Sequence, residues 1–430
     1  MEESSHYPLI VISQRTLAMR QLIKFLSILQ FCALIAAQKT ELDSSANLEL
    51  YSQLRHGILR SYVNRISNKG SGSDVFPNTQ KDVPSTVPFP CNVTDGRSPQ
   101  VPTSVNHLRP GDIDVIGGMG DSWTAGNAIF ATNPLEVLIE NRGVSGSSGG
   151  QGNWRTYLTL PNILKEFNPK LFGYALGDSF TAHPVSQFNV AEAFAMSRDM
   201  PFMAQYLVDK IKKDPRVDMK NNWKMITFMI GINDFCTNVC NVSAPWSIVD
   251  DHEKDLVKTL RILRDNLPRT FVSLILPPHL KALVDTQNGR NIMKCYFSTV
   301  FSCPCLFALK YLENRPLYYE IMKRWQKTEE DIAQYSEFHK EDFTVEVLSG
   351  IKDMIIPLAD DRYSDLTFMS YDCYHLSQKS HALYGNVLWN NLLEPHDNKS
   401  TNWYAMSEKF LCHSPEKPYL VTRENIQKKD

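Results

Sequence analysis

The chain reads as an α/β protein, a three-layer αβα sandwich with a mostly parallel sheet. Three observations predict this. From about residue 112 onward, short apolar runs alternate with longer helical ones. Two of those runs end in turns that carry glycine beside polar side chains, as the carboxyl ends of strands in such sheets do. With 43% hydrophobic and 21% charged residues over 430 positions, the chain has the composition of a globular protein with a sizeable core.

The elements follow in order. Residues Phe25 to Ala37 form an apolar run, FLSILQFCALIAA, behind Arg15, Arg20 and Lys24 and ending in small residues. This is the pattern of a signal peptide, assigned to 1–37, and the run is too short to span a bilayer comfortably. A start at Met19 would make the signal more regular. Residues 38–85 are expected to hold a helical piece, about 41–65, and the start of a linker. The stretch 66–111 is rich in Ser, Gly, Pro, Asn and Asp and reads as loop or linker. Strands are expected at Asp112–Gly117, Leu171–Leu176, Met225–Ile230, Thr270–Leu276 and Phe343–Val347. Helices are expected at Pro161–Phe167, Met200–Lys213, Val249–Asn266 and Ser377–Leu392. The main domain is placed at 86–412, with a polar tail at 413–430. No second apolar stretch is long enough to cross a membrane, and the final TRENIQKKD is polar, so no span or lipid-anchor signal is expected.

A net charge of -2 leaves no basic excess for phosphate backbones, so nucleic acid is not an expected partner. Of nine cysteines, Cys32 lies in the signal; 91, 236, 240, 295, 303, 305, 373 and 412 remain. An even set outside the cytosol points to disulfides, of which a local Cys236–Cys240 bridge is the one expected by position. Zinc at Cys295, Cys303 and Cys305 lacks a supporting paired CxxC or histidine motif, so no metal is expected. N-x-S/T triplets at Asn92, Asn241 and Asn398 are candidate glycosylation sites and agree with secretion.

Three segments carry chemistry. In DIDVIGGMGDSWTAGN, Ser122 follows an apolar strand in a turn flanked by Gly117, Gly118, Gly120 and Gly126, which leaves a hydroxyl uncovered. In Asp372-Cys373-Tyr374-His375, one loop can hold both an imidazole and a carboxylate that fixes its tautomer. In MITFMIGINDFC, a strand ends in Gly231-Ile232-Asn233-Asp234, where the Asn233 amide can donate to a developing oxyanion. Taken singly, each has a bland reading: a Gly-Asp-Ser turn, a surface DxxH turn, an Asn-Asp turn closing a strand. A second Gly-Asp-Ser, Gly177-Asp178-Ser179, leads to His183-Pro184 rather than Gly-Asn, and local turn chemistry accounts for it.

In this order the segments resemble the SGNH (GDSL) hydrolase family. The GDS-x-TAGN start, LPNILKEFNP, IGINDFC and DCYHLSQKSHALYGN resemble its phospholipase B branch over roughly residues 85–412. The resemblance implies Ser122 as nucleophile, His375 as general base and acid, and Asp372 as the orienting carboxylate. Asp234 competes for the last role, but the spacing of Asp372 from His375 favours a local contact. The oxyanion hole would use the Ser122 N–H and Asn233. A third donor is uncertain between Gly146, in GVSGSSGGQGN, and Phe194, which stands in Asn189-Val190-Ala191-Glu192-Ala193-Phe194-Ala195 where the family has glycine.

The expected function is that of a secreted serine esterase acting on acyl esters of phospholipids or lysophospholipids at a membrane or micelle surface. No cofactor and no obligate protein partner are expected. Two alternatives use the same scaffold: a carbohydrate or small-ester esterase, and a catalytically silent secreted binding protein. The Met and aromatic side chains of FAMSRDMPFMAQY could line an acyl pocket, though helical spacing favours plain core.

Overall fold

The computed structural model describes residues 78–287 and 292–425, so the expected signal peptide and the helical piece at 41–65 lie outside the described residues. Four parallel strands form one sheet in the order β1 (Ile113–Gly120), β2 (Trp223–Met229), β3 (Thr270–Ile275) and β4 (Phe343–Leu348). Around them run α1 (Ser122–Ala125), α2 (Leu160–Phe167), α3 (Met200–Lys213), α4 (Ser247–Asn266), α5 (Lys281–Asp285), α6 (Met293–Ser302), α7 (Pro304–Phe307), α8 (Arg315–Ala333) and α9 (Gln378–Leu393).

The strands are apolar almost throughout because both faces are covered. Alternate side chains enter two separate cores. Ile116, Met225, Phe271 and Leu348 pack with α2, α8 and α9, while Val115, Ile226, Val272 and Val345 pack with α3 and α4. This is the three-layer arrangement expected. Met200 and Met203 of α3 are fully buried in the second core, which settles them as packing residues rather than an acyl pocket.

The expected strand at Leu171–Leu176 is reduced to single bridges, Val115 with Phe172 and Gly149 with Ala175. Gly173 interrupts it: with φ +97° it takes a left-handed conformation that a strand cannot continue. The free edge of β1 is therefore completed in two pieces. Ile116 N–H donates to Phe172 O, and then Gly118 N–H donates to Phe188 O and Val190 N–H to Gly118 O. The chain thus leaves β1, serves one of its edges, and returns to pair β2 on the other. The carboxyl end of β1 is the point where sheet order reverses, where α/β folds place their sites.

Four disulfides join Cys91–Cys412, Cys236–Cys303, Cys240–Cys305 and Cys295–Cys373. The expected Cys236–Cys240 bridge is not formed. Cys236 sits in the helical turn 234–238, while Cys240 lies beyond its end. Each instead meets one cysteine of the Cys303–Cys305 pair. The expected linker and tail are also more than connectors. The Gln80 side chain bonds the Trp154 and Arg155 carbonyls and the Leu158 N–H. Leu420 is fully buried, and its N–H donates to Leu108 O. Asn92, Asn241 and Asn398 are all exposed.

Candidate active site

Ser122 is the first residue of α1, immediately beyond the end of β1. Asp121 caps that helix, its Oδ1 accepting the Trp123 N–H at 3.0 Å. Ser122 is 6% exposed, so the nucleophilic turn lies in a recess rather than on a flat surface. On the far side of the sequence, His375 closes a tight loop. Cys373 N–H donates to Ser370 O, Ser370 N–H donates to His375 O, and the Ser370 hydroxyl reaches Ala128 O at 2.5 Å, tying this loop to the chain that follows α1. Cys373 sits at φ +57° and is bonded to Cys295 at the start of α6. The strained backbone of the loop is thereby pinned from a third direction.

The structure brings Ser122, His375 and Asp372 together. His375 Nε2 lies 2.9 Å from Ser122 Oγ, and His375 Nδ1 lies 2.6 Å from Asp372 Oδ2. The other carboxylate oxygen accepts the backbone N–H groups of Tyr374 and His375 at 3.1 and 3.0 Å. Burial alone would raise the Asp372 carboxyl. The His375 charge and these hydrogen bonds outweigh it and hold the group below its usual value, so it is ionised at neutral pH. The Tyr374 ring stands edge-on to the imidazole, with centroids 4.9 Å apart.

Asp234, the competing carboxylate, faces elsewhere: its Oδ2 accepts the Ser197 N–H at 3.1 Å. Burial pushes it up to about 8, so it is largely protonated where Asp372 is charged. Asn233 sits at the carboxyl end of β2, and its Nδ2 donates to Ala195 O at 2.9 Å. An amide nitrogen carries two hydrogens, so one contact fixes the group and leaves a second N–H to donate. Of the two candidates for a third donor, Gly146 is spent, because its N–H donates to His381 Nδ1 at 3.1 Å. Phe194 adopts φ +64°, the left-handed conformation for which glycine is suited, and its side chain is 62% exposed.

The second Gly-Asp-Ser is not a nucleophilic turn. Ser179 is fully buried with its hydroxyl on Gly177 O, and Asp178 accepts the Asn141 amide at 3.0 Å. Gly177 and Asp178 line a cavity of about 630 Å³ together with Phe130 and Tyr157. Asp121 was not singled out from sequence. Burial raises it to about 7, with the Trp123 N–H and His375 pulling it down, and its Oδ2 has no hydrogen-bond partner. Only its place before the serine hinted at it. No cluster of metal-ligating side chains occurs among the described residues.

A recessed nucleophile, an imidazole and a carboxylate at the switch point of a parallel sheet define a serine hydrolase arrangement of the SGNH type. Residues 116–388 match the GDSL-like Lipase/Acylhydrolase family, and the chain belongs to it. It is similar to membrane-associated phospholipase B1 of Homo sapiens, 37% identical over 335 residues covering 76% of this chain and 22% of that protein. The Mus musculus protein of the same name is 37% identical over 340 residues, covering 77% of this chain and 22% of its own. The chain therefore spans about a fifth of the relatives it matches. Among solved structures, phospholipase A1 from Streptomyces albidoflavus NA297 aligns with 63% of this chain and 95% of its own, at 12% identity and a TM-score of 0.30.

Proposed function

We propose that this protein hydrolyses acyl ester bonds of phospholipids and lysophospholipids outside the cytosol, through an acyl-enzyme on Ser122. The observation that carries the reading is the unbroken contact from Ser122 Oγ through His375 to an ionised Asp372. His375 Nε2 takes the serine proton as Oγ bonds to the ester carbonyl carbon. The carbonyl oxygen gains the negative charge and is met by the Ser122 N–H, the second Asn233 N–H and the Phe194 N–H; one such donor is worth about 10²–10³ in rate. Collapse expels the alcohol, which takes the proton from His375. Water, deprotonated by the same imidazole, then releases the fatty acid. Asp372 orients the ring and offsets its transient charge. No metal or cofactor enters any step.

The lipid substrate is supported by the similarity to phospholipase B1. An oxidising compartment is supported by four disulfides, which a reducing cytosol would not maintain. No helix among the described residues is long and apolar enough to cross a membrane. The test is fatty-acid release from phosphatidylcholine and lysophosphatidylcholine by wild type and Ser122→Ala. We expect release by wild type and a loss of at least about 10⁴-fold in the variant. Equal release by both proteins sinks the nucleophile, and rapid turnover of acetyl esters with none of either lipid sinks the substrate.

A further inference from the structure

Behind the oxyanion side of the site lies a second set of serine, histidine and carboxylate that the mechanism above does not use. The Ser197 hydroxyl lies 2.7 Å from His252 Nδ1. The far side of that imidazole, Nε2, stands 3.2 Å from Glu329 Oε1, though not aligned as a hydrogen bond. Glu329 Oε1 also accepts the Trp325 indole N–H at 3.0 Å. The His252 and Trp325 rings stack with centroids 3.6 Å apart and planes 10° from parallel. Ser197, His252 and Glu329 are 3%, 1% and 0% exposed, so no substrate reaches them.

The partners of this set converge on Asn233. Trp325 packs against Gly231, where a Cβ would meet the indole nitrogen at 3.0 Å; Gly231 has φ +129°, so both conformation and space require glycine there. Phe235 meets the same indole edge-on at 5.1 Å. Ser197 N–H donates to Asp234 Oδ2, and Ala195, two residues earlier, receives the Asn233 amide. A closed ring results: Asn233 to Ala195, along the chain to Ser197, to His252, across to Trp325, and back to Gly231. Both segments that hold the Asn233 amide are fixed by one buried network.

We propose that Ser197, His252, Trp325 and Glu329 are positioning residues that aim the second Asn233 N–H at the developing oxyanion. This rests on the reading of Asn233 as an oxyanion donor. The chemistry of the network suits a fixed scaffold rather than a proton relay. Burial pushes His252 down to about 3 and Glu329 well above its usual value, and Asp234 lies at about 8. At neutral pH the set is mostly uncharged, so it can be sealed in apolar surroundings without an unpaired ion. Displacing the Asn233 amide weakens a contact that matters most in the transition state, so the rate suffers and substrate affinity does not.

The test is a double-mutant cycle on lysophosphatidylcholine turnover. His252→Phe keeps the stack on Trp325 and removes the hydrogen-bond partner of the Ser197 hydroxyl; Ser197→Ala removes only the hydroxyl. Each is made in wild type and in Asn233→Ala, with Tm recorded in parallel. In wild type we expect kcat to fall by roughly 10–100-fold with KM within about twofold, as for loss of a transition-state contact. In the Asn233→Ala background the same changes should lower kcat by less than about twofold, since the donor they aim is gone. Glu329→Leu should behave like His252→Phe, and Glu329→Gln, which keeps the acceptor for the Trp325 N–H, should restore most of kcat. If His252→Phe does not fold, Ser197→Ala carries the comparison. Full effects persisting without Asn233, or a lowered Tm with kcat intact, would overturn the proposal. Turnover by Ser122→Ala, by contrast, would overturn the catalytic reading itself.

Discussion

The molecule contains two constellations of serine, histidine and carboxylate, and the contrast between them shows what chemistry requires beyond residue types. Ser122, His375 and Asp372 sit in a recess at the end of β1; Ser197, His252 and Glu329 are sealed between α4, α8 and the segment leading into α3. The serine–histidine distances are similar, 2.9 and 2.7 Å. The carboxylates differ. Asp372 accepts two backbone N–H groups and an aligned imidazole, which keep it charged. Glu329 accepts one indole N–H, leaves its Oε2 without a partner, and is pushed well above its usual value by burial. His252, pushed down to about 3, cannot take a proton at neutral pH. A triad needs an ionised acid and an open serine. The buried set has neither, and serves geometry.

The largest effect separates the two histidines. His375→Ala should lower kcat by about 10⁴–10⁶-fold on lysophosphatidylcholine, well beyond the loss expected for His252→Phe. Comparable losses for both would erase the distinction. The carboxylates come next. Asp372→Asn should cost about 10³–10⁴-fold in kcat, because the wrong imidazole tautomer then faces Ser122. Asp234→Asn, which still offers an oxygen to the Ser197 N–H, should stay within about tenfold of wild type. The reverse order in kcat measurements would make Asp234 the triad acid. Smaller again is the effect of releasing the catalytic loop. Replacing Cys295 and Cys373 together by Ser frees a loop whose Cys373 is held at φ +57°. We expect kcat to fall about tenfold and Tm by several degrees, the cross-link being worth about 2–4 kcal/mol. Unchanged kcat in that double variant would show that the Ser370 contacts alone hold His375.

Much of the site was legible because its chemistry is local in sequence. Asp372 and His375 sit three positions apart in one loop, and Ser122 directly follows a strand, so each half announces itself. The sheet was legible where strands are continuous apolar runs covered on both faces. The Leu171–Leu176 run carries the same apolar signal, but Gly173 turns the backbone left-handed and divides the edge between two pieces of chain. Disulfide pairing was not legible. The partners of Cys236 and Cys240 lie 67 and 65 residues away, and nothing near them in sequence names those partners. The buried network was invisible for the same reason: Ser197, His252 and Glu329 come from three separate elements, and nothing in their local sequence sets them apart. Phe194 was found only as a departure from the glycine expected there. Its positive φ is the left-handed conformation that glycine adopts most readily.

The last predicted effect concerns stability rather than rate. Asp234 has its carboxyl raised from an ordinary 3.8 to about 8 by burial. The folded protein therefore holds a proton that the unfolded chain releases, in the window between about pH 4 and pH 8. Since the folded state binds more protons there, stability falls as pH rises through that window, and the loss is complete above the folded value. A carboxamide cannot ionise, so Asp234→Asn removes this loss while keeping an acceptor for Ser197. One pKa unit corresponds to about 1.4 kcal/mol, and for a chain this large about 1 kcal/mol moves Tm by roughly 2 °C. We expect Tm of the variant to match wild type near pH 4 and to exceed it by roughly 10 °C at pH 8.5, read by thermal unfolding at both values. Glu329→Gln should show the same sign, because burial raises Glu329 too, whereas Asp372→Asn should show the opposite one. Asp372 is held below its usual value, so its charge stabilises the fold above that range and its removal lowers Tm at pH 8.5. A gap that is the same at both pH values for Asp234→Asn, or wider at pH 4, would mean that Asp234 is ionised inside the fold and that the buried set behind Asn233 carries charge after all.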